Sequence, residues 1–176
     1  MTDIVGVKTP AEIEGVAALA HEIWNSHYVP IIGQEQVDYM LEIFQSVSAI
    51  TAQIANGYDY YLVTDQGRRI GYFALVPNPA DESMLLSKIY IHPTYQGRGL
   101  GKEVLAFTER QCVMRGLRTL WLTVNRNNAN SIAFYMRMGF VKETAIVNDI
   151  GGGFVMDDFK MVKRIAHPCQ THSPNR

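Results

Sequence analysis

Three glycines occupy alternate positions where an apolar stretch passes into a helical pattern. In IYIHPTYQGRGLGKEVLAF these are Gly97, Gly99 and Gly101, with Arg98 and Lys102 beside them. The first N–H groups of a helix lack partners within it, and the helix dipole adds partial positive charge there, so such an end binds anions. Glycine lets a phosphate approach the backbone, and the basic side chains add charge at the same rim. The pattern predicts a phosphate-binding loop, with a plain glycine-rich turn as the alternative.

Two common phosphate-binding loops do not fit this stretch. A P-loop requires Ser or Thr after Gly-Lys, whereas Gly101-Lys102 is followed by Glu103. A dinucleotide-binding fingerprint follows the first strand of a parallel sheet and has an acidic residue about 20 positions later. Residues 125–130, NRNNAN, occupy that place instead. A different phosphate-binding loop and a plain glycine-rich turn both remain open at this point.

A second motif, NNANSIAFYMRMGF, follows after one helical and one extended pattern. With it the chain resembles the GNAT superfamily of acetyl-CoA-dependent N-acetyltransferases. That superfamily holds the coenzyme A pyrophosphate with Gln/Arg-x-x-Gly-x-Gly/Ala, matched by Gln96, Gly99 and Gly101. Its later Asn-x-x-Ala/Ser-x-x-Phe/Leu-Tyr-x-x-x-Gly-Phe segment is matched by Asn128, Ser131, Phe134, Tyr135, Gly139 and Phe140. The two motifs and the strands between them cover residues 85–142.

The resemblance implies acetyl-CoA as cosubstrate, no metal, and a defined set of contacts. The backbone of Ile89, Tyr90 and Ile91 is expected to hold the acetyl group and the pantetheine arm, in a gap where this strand splays from the strand at Trp121. Asn128 contacts the cosubstrate from the other side, with Asn130 as a weaker contact. The residues expected around the pyrophosphate are Gln96, Gly97, Arg98, Gly99, Leu100, Gly101 and Lys102.

Tyr135 matches the usual general acid of the superfamily. Attack of an amine on a thioester expels a thiolate, and a phenol with an ordinary pKa near 10 can give that sulfur a proton. The alternative is that Tyr135 only packs with Phe134 and Phe140. The flanking motif favours the catalytic interpretation.

The general base is less well defined. A primary ammonium has a pKa of roughly 10 and must lose a proton before it attacks. Many relatives use a glutamate on one of the two splayed strands, but the candidate positions hold Ser87, Lys88 and Thr123. The departure favours a water chain through Tyr90, His92 or a nearby acid.

In this superfamily the first two helices with their connecting loop, and the turn between the last two strands, commonly shape the acceptor site. Here they contain the aromatic residues Trp24 and Tyr28, which are the candidate substrate contacts. The same segments contain five acids, Glu35, Asp38, Asp149, Asp157 and Asp158. Aromatic and acidic walls suit a cationic amine. The alternative is that Trp24 and Tyr28 pack in the core while the acids are solvated.

The chain also resembles the polyamine (spermidine/spermine) acetyltransferase branch, so the expected partner is a small-molecule amine. A protein N-terminus, a lysine side chain, an amino sugar or an amino acid derivative remains compatible. Two other classes stay open: a coenzyme A-binding module without catalysis, and a structural domain in which the glycine loop is only a turn. Dimers are common in the superfamily, so a homodimer is compatible as well.

Composition excludes several function classes. The chain has 176 residues, 47% of them apolar, with sixteen basic against seventeen acidic residues and a net charge of −1. No strong field draws it to nucleic acid or to an anionic membrane. The two cysteines, Cys112 and Cys169, suit a reducing compartment, and no signal peptide or membrane span is visible. These features predict a cytoplasmic protein.

The element pattern predicts one α/β (α+β) domain over residues 1–164, with a mobile tail over 165–176. Helical patterns come first, beginning with Thr9 as an N-cap, then a hairpin around DQGR, then strand-helix units and two final strands. The resemblance specifies a GNAT-like fold, in which a mixed, mostly antiparallel sheet of about seven strands is flanked by helices. It also implies a splay between the fourth and fifth strands.

Overall fold

The protein is a seven-stranded sheet with helices on both faces. The computed structural model describes residues 2–167. The helices are α1 Pro10–His27, α2 Val29–Ile32, α3 Gln34–Phe44, α4 Val47–Ala55, α5 Leu100–Met114 and α6 Ala129–Arg137. The strands are β1 Thr2–Gly6, β2 Asp59–Asp65, β3 Arg68–Asn78, β4 Ser83–Ile91, β5 Thr119–Asn125, β6 Val141–Gly151 and β7 Phe154–Arg164.

Local signals set several of these boundaries. Thr9 caps α1 in a capping box, in which its side chain accepts from the N–H of Glu12 and the Glu12 carboxylate accepts from the N–H of Thr9. The β2–β3 hairpin turns at Gln66 and Gly67, both with positive φ, as a two-residue turn of right-handed strands favours. The N-cap and the hairpin predicted from sequence are thus confirmed.

The strand order is β1-β2-β3-β4-β5-β7-β6, and only the β4–β5 pair is parallel among the described strands. A mixed, mostly antiparallel sheet of seven strands is therefore confirmed. The sequence pattern did not anticipate α2, a single turn between α1 and α3.

The β4–β5 pair holds together at one end and opens at the other. The strands pair only where Ser83 to Leu85 lie opposite Thr119 to Trp121. On its other side β4 carries an irregularity in the pairing with β3, because Ala74 lies opposite Lys88 while Leu75 lies opposite Leu86. The extra residue is Ser87, and a bulge of this kind bends its strand. The expected splay between the fourth and fifth strands is confirmed, and it begins at this bulge.

The bulge also assigns side chains to the two faces of the sheet. Beyond Ser87, Ile89 and Ile91 pack on the face covered by α5 and α6, together with Leu105 and Phe140. Lys88 and Tyr90 turn to the face covered by α1, α3 and α4. Two cores therefore lie on opposite faces, and the gap between β4 and β5 connects them.

The predicted tail begins against the body of the protein. The N–H of Ile165 donates to the carbonyl of Arg118 at 2.9 Å, and the His167 ring lies 2.9 Å from the carbonyl of Leu117. Residues 168–176, including Cys169, lie outside the described residues, so the domain boundary stays a prediction. Cys112 is buried and unpaired within the described range. No helix in that range is long and apolar enough to cross a membrane.

A substitution at Gly71 of β3 tests how closely β3 packs against the open end of β4. A Cβ at Gly71 would lie 2.8 Å from the carbonyl oxygen of Tyr90 and 2.6 Å from Cδ1 of Ile91. Because backbone blocks that space, Gly71→Ala is expected to lower the free energy of unfolding by about 1–3 kcal/mol. Urea denaturation measures it. Gly6→Ala in β1 is the matched control, since its Cβ would meet nothing closer than 3.9 Å. Equal stability of the two variants would contradict the tight packing of β4 on β3.

Candidate active site

Two cavities meet at the gap between β4 and β5. The loop cavity, of ≈ 640 Å³, lies against the glycine loop, and the aromatic cavity, of ≈ 120 Å³, lies on the α1 side. Ile89, Asn128, Ser131 and Tyr135 line both. A molecule lying through the gap would touch these four residues and reach both cavities.

The glycine loop enters α5 through two left-handed residues. Gly97 and Gly99 have φ of +78° and +83°, which glycine adopts without strain. The N–H groups of Lys102 and Glu103 return to the carbonyl of Gly99, and no described side chain caps the helix. Gly101 lines the loop cavity and also has a packing role. A Cβ there would lie 2.9 Å from Cζ of Phe134, so its small size lets α5 pack on α6.

Side chains around the loop cavity partly match the sequence-based set. Gln96 ties the loop to β4, since its Nε2 donates to the carbonyl of Ile91 at 3.1 Å. Lys102 lines the cavity, whereas the Arg98 guanidinium lies over the Tyr95 ring at 5.0 Å and is not part of the wall. The predicted residues found in the wall are Ile89, Ile91, Gln96, Gly97, Gly99, Leu100, Gly101, Lys102, Asn128 and Asn130.

One basic residue of this wall was missed from sequence. Arg137 lines the loop cavity together with Lys102. It follows Phe134 by three positions on α6, and residues at that spacing share a helix face. The spacing from the motif residue is the signal that would have found it. Two cations therefore flank the loop cavity.

Asn128 fixes the start of α6. Its Oδ1 accepts from the N–H of Ser131 at 3.2 Å, and the residue is buried. The side chain that the resemblance assigns to the cosubstrate thus also caps the helix that presents Tyr135. Tyr90, assigned to the same set, directs its ring to the aromatic cavity rather than to the loop cavity.

Tyr135 is both a packed residue and a wall residue. Its ring lies 5.3 Å from the Phe134 ring and 5.6 Å from the Phe140 ring, and only 7% of it is exposed. Burial raises the pKa of Tyr135 above its ordinary value, so the phenol carries its proton at neutral pH. The two roles considered from sequence are therefore compatible, because packing orients a protonated hydroxyl at the junction of the cavities.

Aromatic rings form one side of the aromatic cavity. Trp24 stacks on Tyr28 with ring centroids 4.5 Å apart, and Tyr90 meets both rings edge-on at 5.3 and 5.7 Å. The Trp24 Nε1 donates to the Tyr72 hydroxyl at 3.2 Å. Trp24 and Tyr28 are core residues of the α1 side and also walls of the cavity. Packing and ligand contact are again compatible.

A carboxylate faces the rings from β7. Asp158 lies opposite Asn125 of β5, lines the aromatic cavity and is only 4% exposed. Its Oδ1 has no hydrogen-bond partner among the described residues. Burial raises the pKa of Asp158, the hydroxyl of Thr123 lowers it, and the charge of Asp157 raises it further. A buried carboxylate oxygen without a partner is costly, so its presence in a cavity needs a reason.

The search for a base on the two splayed strands overlooked Asp158. It was counted from sequence only as one of five acids in the acceptor segments, and the pairing of β5 with β7 is what brings it to the cavity. The other four acids, Glu35, Asp38, Asp149 and Asp157, do not line the aromatic cavity. Asp157 instead forms an ion pair with Arg126 at 2.8 Å.

Lys88, at one of the positions where relatives carry a glutamate, lines the aromatic cavity and is held by hydrogen bonds. The Lys88 Nζ donates to the carbonyl of Phe44 and to Oε1 of Gln53, both at 2.8 Å, and to the Tyr60 hydroxyl. Burial lowers the pKa of Lys88 to about 7, although three acceptors match the three N–H bonds of an ammonium. Lys88 thereby links β4 to the α4 side.

His92, a candidate from sequence for the water chain, lies outside both cavity walls. Its Nε2 lies 2.9 Å from the Glu22 carboxylate, and its Nδ1 accepts from the N–H of Thr94. Both ring nitrogens are therefore engaged away from the gap. The described residues contain no group of three or more His, Cys, Asp or Glu side chains that could hold a metal ion.

The buried carboxylate predicts an unusual stability effect. Because the pKa of Asp158 is raised by folding, its stabilising contribution is complete below the unfolded pKa and is lost as pH rises through the folded pKa. Asp158→Asn should therefore raise Tm at about pH 8, with a smaller gain at about pH 4, near the ordinary pKa of aspartate. Each kcal/mol added to the free energy of unfolding raises Tm by roughly 2–4 °C in a chain of this size.

Thermal unfolding at the two pH values measures the effect. Asp157→Asn is the matched control and should show no gain, because it loses the ion pair of Oδ1 with Arg126 at 2.8 Å, although that oxygen also makes no well-aligned hydrogen bond among the described residues. A lower Tm for Asp158→Asn at both pH values would contradict a net cost of burying the carboxylate, and would mean that its hydrogen bond with Thr123 outweighs that cost.

Comparison with known sequences identifies the family. The sequence pattern of the Acetyltransferase (GNAT) family matches residues 17–140. The [Ribosomal protein bS18]-alanine N-acetyltransferase of Escherichia coli (strain K12) is 37% identical over 79 residues, which are 45% of this chain and 53% of that protein. The chain thus spans about half the length of the curated relatives it matches.

Solved structures share the fold across nearly the whole chain. A PaiA N-acetyltransferase from Thermoplasma acidophilum, in complex with coenzyme A, has a TM-score of 0.77 at 22% identity, covering 93% of this chain and 99% of that one. A chimera of the spermidine N-acetyltransferase SpeG from Vibrio cholerae and hSSAT has a TM-score of 0.68 at 20% identity, covering 93% of this chain and 95% of that one. At these identities the likeness shows the fold alone. With the family pattern matched over most of its length, the chain belongs to the GNAT acetyltransferase family.

Proposed function

We propose that the protein is an N-acetyltransferase that moves the acetyl group of acetyl-CoA directly to a primary amine of a small molecule. The observation that carries this proposal is the junction of the two cavities at Tyr135, inside the gap opened by the β4 bulge. One cavity suits a phosphate-bearing ligand and the other suits a cation. The acetyl group passes between them at the junction.

The loop cavity fits coenzyme A by its chemistry. Its wall combines the uncapped first turn of α5 with Lys102 and Arg137, which supply positive charge for the pyrophosphate. The edge of β4 that has no partner beyond Leu85 among the described strands offers backbone groups near Ile89 to the amide-rich pantetheine arm, while the carbonyl of Ile91 is held by Gln96. Acetyl-CoA supplies the activated acyl group as cosubstrate, and these residues hold it with its thioester at the gap.

Tyr135 is the proposed acid. Its proton is retained until negative charge develops on the leaving sulfur, because burial keeps the phenol neutral. A phenol is a weaker acid than a thiol whose pKa is near 8.5, so the transfer requires a second proton to return to the oxygen. The amide nitrogen loses such a proton at the same stage, which makes Tyr135 a shuttle between nitrogen and sulfur.

The aromatic cavity favours a slender alkylammonium as acceptor. Its volume of ≈ 120 Å³ is small, and Trp24, Tyr28 and Tyr90 offer ring faces and edges to a cation. Asp158 adds one negative charge. A polyamine satisfies this description and is the finer candidate, and the fold is shared with a spermidine acetyltransferase chimera.

An N-terminal amine of a protein is the second candidate. It is favoured by the 37% identity to an alanine N-acetyltransferase of a ribosomal protein, although only about half of that relative is matched. A screen of polyamines, simple amines, amino sugars, amino acids and N-terminal peptides, read by free thiol release from acetyl-CoA, separates the two candidates. Release with peptides alone would overturn the small-molecule acceptor.

Binding of acetyl-CoA is expected to stabilise the protein. At a free concentration 100 times the dissociation constant, a ligand of the folded state adds about 2.7 kcal/mol. Thermal shift with acetyl-CoA, compared with adenosine as a control that lacks the pyrophosphate and the arm, measures the effect. An absence of any shift with acetyl-CoA would reject both the enzyme and the coenzyme A-binding alternative.

Tyr135→Phe separates an enzyme from a binding module. The variant keeps the ring that packs on Phe134 and Phe140 but lacks the proton, so turnover should fall on the order of 10²-fold while acetyl-CoA affinity stays nearly unchanged. Steady-state kinetics and calorimetry measure the two effects. Tyr58→Phe, outside both cavities, is the control and should behave as wild type. Unchanged turnover in Tyr135→Phe would reject its role as the acid.

A further inference from the structure

We propose that Asp158 binds the ammonium group of the acceptor and takes its first proton. The inference rests on the proposed function and names the group that recognises the amine. It replaces the glutamate expected on the splayed strands with a carboxylate supplied by β7. Asp158 lines the same small cavity as Tyr135, the proposed acid, so one cavity holds both proton-transferring groups.

Register and burial place the carboxylate in the cavity. Asn125, the last residue of β5, lies opposite Asp158, and Thr123 is two residues earlier on the same face of the sheet. Both also line the cavity. Asp158 is 4% exposed and its Oδ1 lacks a partner among the described residues. Asp158 lines the cavity, and its carboxylate has capacity for a further donor beyond its hydrogen bond with Thr123, which a ligand entering the cavity can supply.

Nearby cations of the protein are engaged elsewhere. Lys160, on the same face as Asp158, pairs with Glu143 at 2.7 Å. Arg126 pairs with Asp157, and Lys88 donates to three acceptors on the α4 side. Among the described residues, none of these cations forms an ion pair with Asp158. Lys88 lines the same cavity as Asp158 but directs its N–H bonds to other acceptors, so an entering alkylammonium can supply the charge complement of this carboxylate.

With Asp158 as the base and Tyr135 as the acid, every proton of the reaction has a donor and an acceptor. RNH₃⁺ gives one proton to the Asp158 carboxylate and becomes RNH₂. The nitrogen lone pair forms the bond to the thioester carbonyl carbon, the C–S bond breaks, and sulfur leaves with the electron pair. Tyr135 gives sulfur its phenolic proton and regains the second proton lost by nitrogen. Asp158 finally releases its proton to solvent, so the products are one amide, one thiol and one proton.

The site also discriminates among amines. A single buried carboxylate attracts a lone ammonium but repels a carboxylate next to it, since like charges in a poorly solvated cavity repel strongly. Simple alkylamines and polyamines should therefore be better acceptors than free α-amino acids. An uncharged alcohol of the same length should not bind, because it leaves the charge on Asp158 uncompensated.

Asp158→Asn tests the proposal with Asp157→Asn as its matched control. With the best amine of the screen, kcat/KM of Asp158→Asn should fall on the order of 10²-fold or more, while acetyl-CoA affinity changes less than about twofold. In the wild type, kcat/KM should fall at low pH as Asp158 becomes protonated, which gives the pH profile an acid limb. Asp158→Asn should lack this limb. The titratable and charged groups around the cavity or at neighbouring strand positions are Tyr28, Lys88, Tyr90, Tyr135, Asp157 and Lys160. Asp157→Asn should keep an acid limb, moved toward lower pH because the charge of Asp157 no longer raises the pKa of Asp158.

Asp158→Glu distinguishes a role of the carboxylate in the reaction from a structural effect of the substitution. It restores a carboxylate at the cost of one extra methylene, so it should recover part of the activity and the acid limb. Wild-type turnover in Asp158→Asn, or a loss that neither changes the pH profile nor responds to Asp158→Glu, would overturn the proposal.

A binding measurement keeps this test apart from that of the proposed function. Calorimetric titration of butylamine into the coenzyme A-loaded protein should show binding that is absent with butanol and at least about tenfold weaker in Asp158→Asn. Binding of butylamine through Asp158 without thiol release from any amine would reject the acetyltransferase but keep the recognition site. Thiol release by the wild type with equal butylamine affinity in the two proteins would overturn the role of Asp158 alone.

Discussion

The separation of β4 from β5 is the constraint on which the rest of the structure depends. Two parallel strands would ordinarily pair along their length, yet these part after Leu85 and Trp121. The bulge at Ser87 bends β4 while its bonds to β3 continue to Ile91. The backbone groups that β4 loses on the β5 side become available to a ligand. A site therefore forms inside the sheet without breaking either of the two cores.

The two cavities at the gap have walls of opposite charge. The start of α5, with Lys102 and Arg137 nearby, makes one cavity favourable for phosphate. Asp158 and the rings of Trp24, Tyr28 and Tyr90 make the other favourable for a cation. Under the proposed function, an anionic cosubstrate and a cationic acceptor enter environments of opposite sign. Tyr135 lies where they meet, and Asn128 caps the helix that carries it.

Two buried charged residues line the aromatic cavity and differ in their hydrogen bonding. Lys88 is buried with acceptors for its three N–H bonds, which makes it a structural link between β4 and the α4 side. Asp158 is buried with an oxygen left over, which costs folding free energy and is explained if a ligand provides the missing donor. Residues that destabilise the free protein in this way are expected at functional sites rather than in the core.

The sequence by itself determined the glycine loop, the Tyr135 segment, the order of most elements and the family resemblance, because these signals are local or contiguous. A glycine with positive φ depends only on a few neighbouring residues, and so do a capping box and a two-residue hairpin turn. Only the tertiary structure decided that Gly101 serves helix packing, that Arg98 lies over Tyr95, and that Arg137 lines the loop cavity. It also decided which of five acids faces the acceptor side. The pairing of β5 with β7 places Asp158 beside Asn125, and strand register between distant segments is set by long-range packing rather than by local sequence.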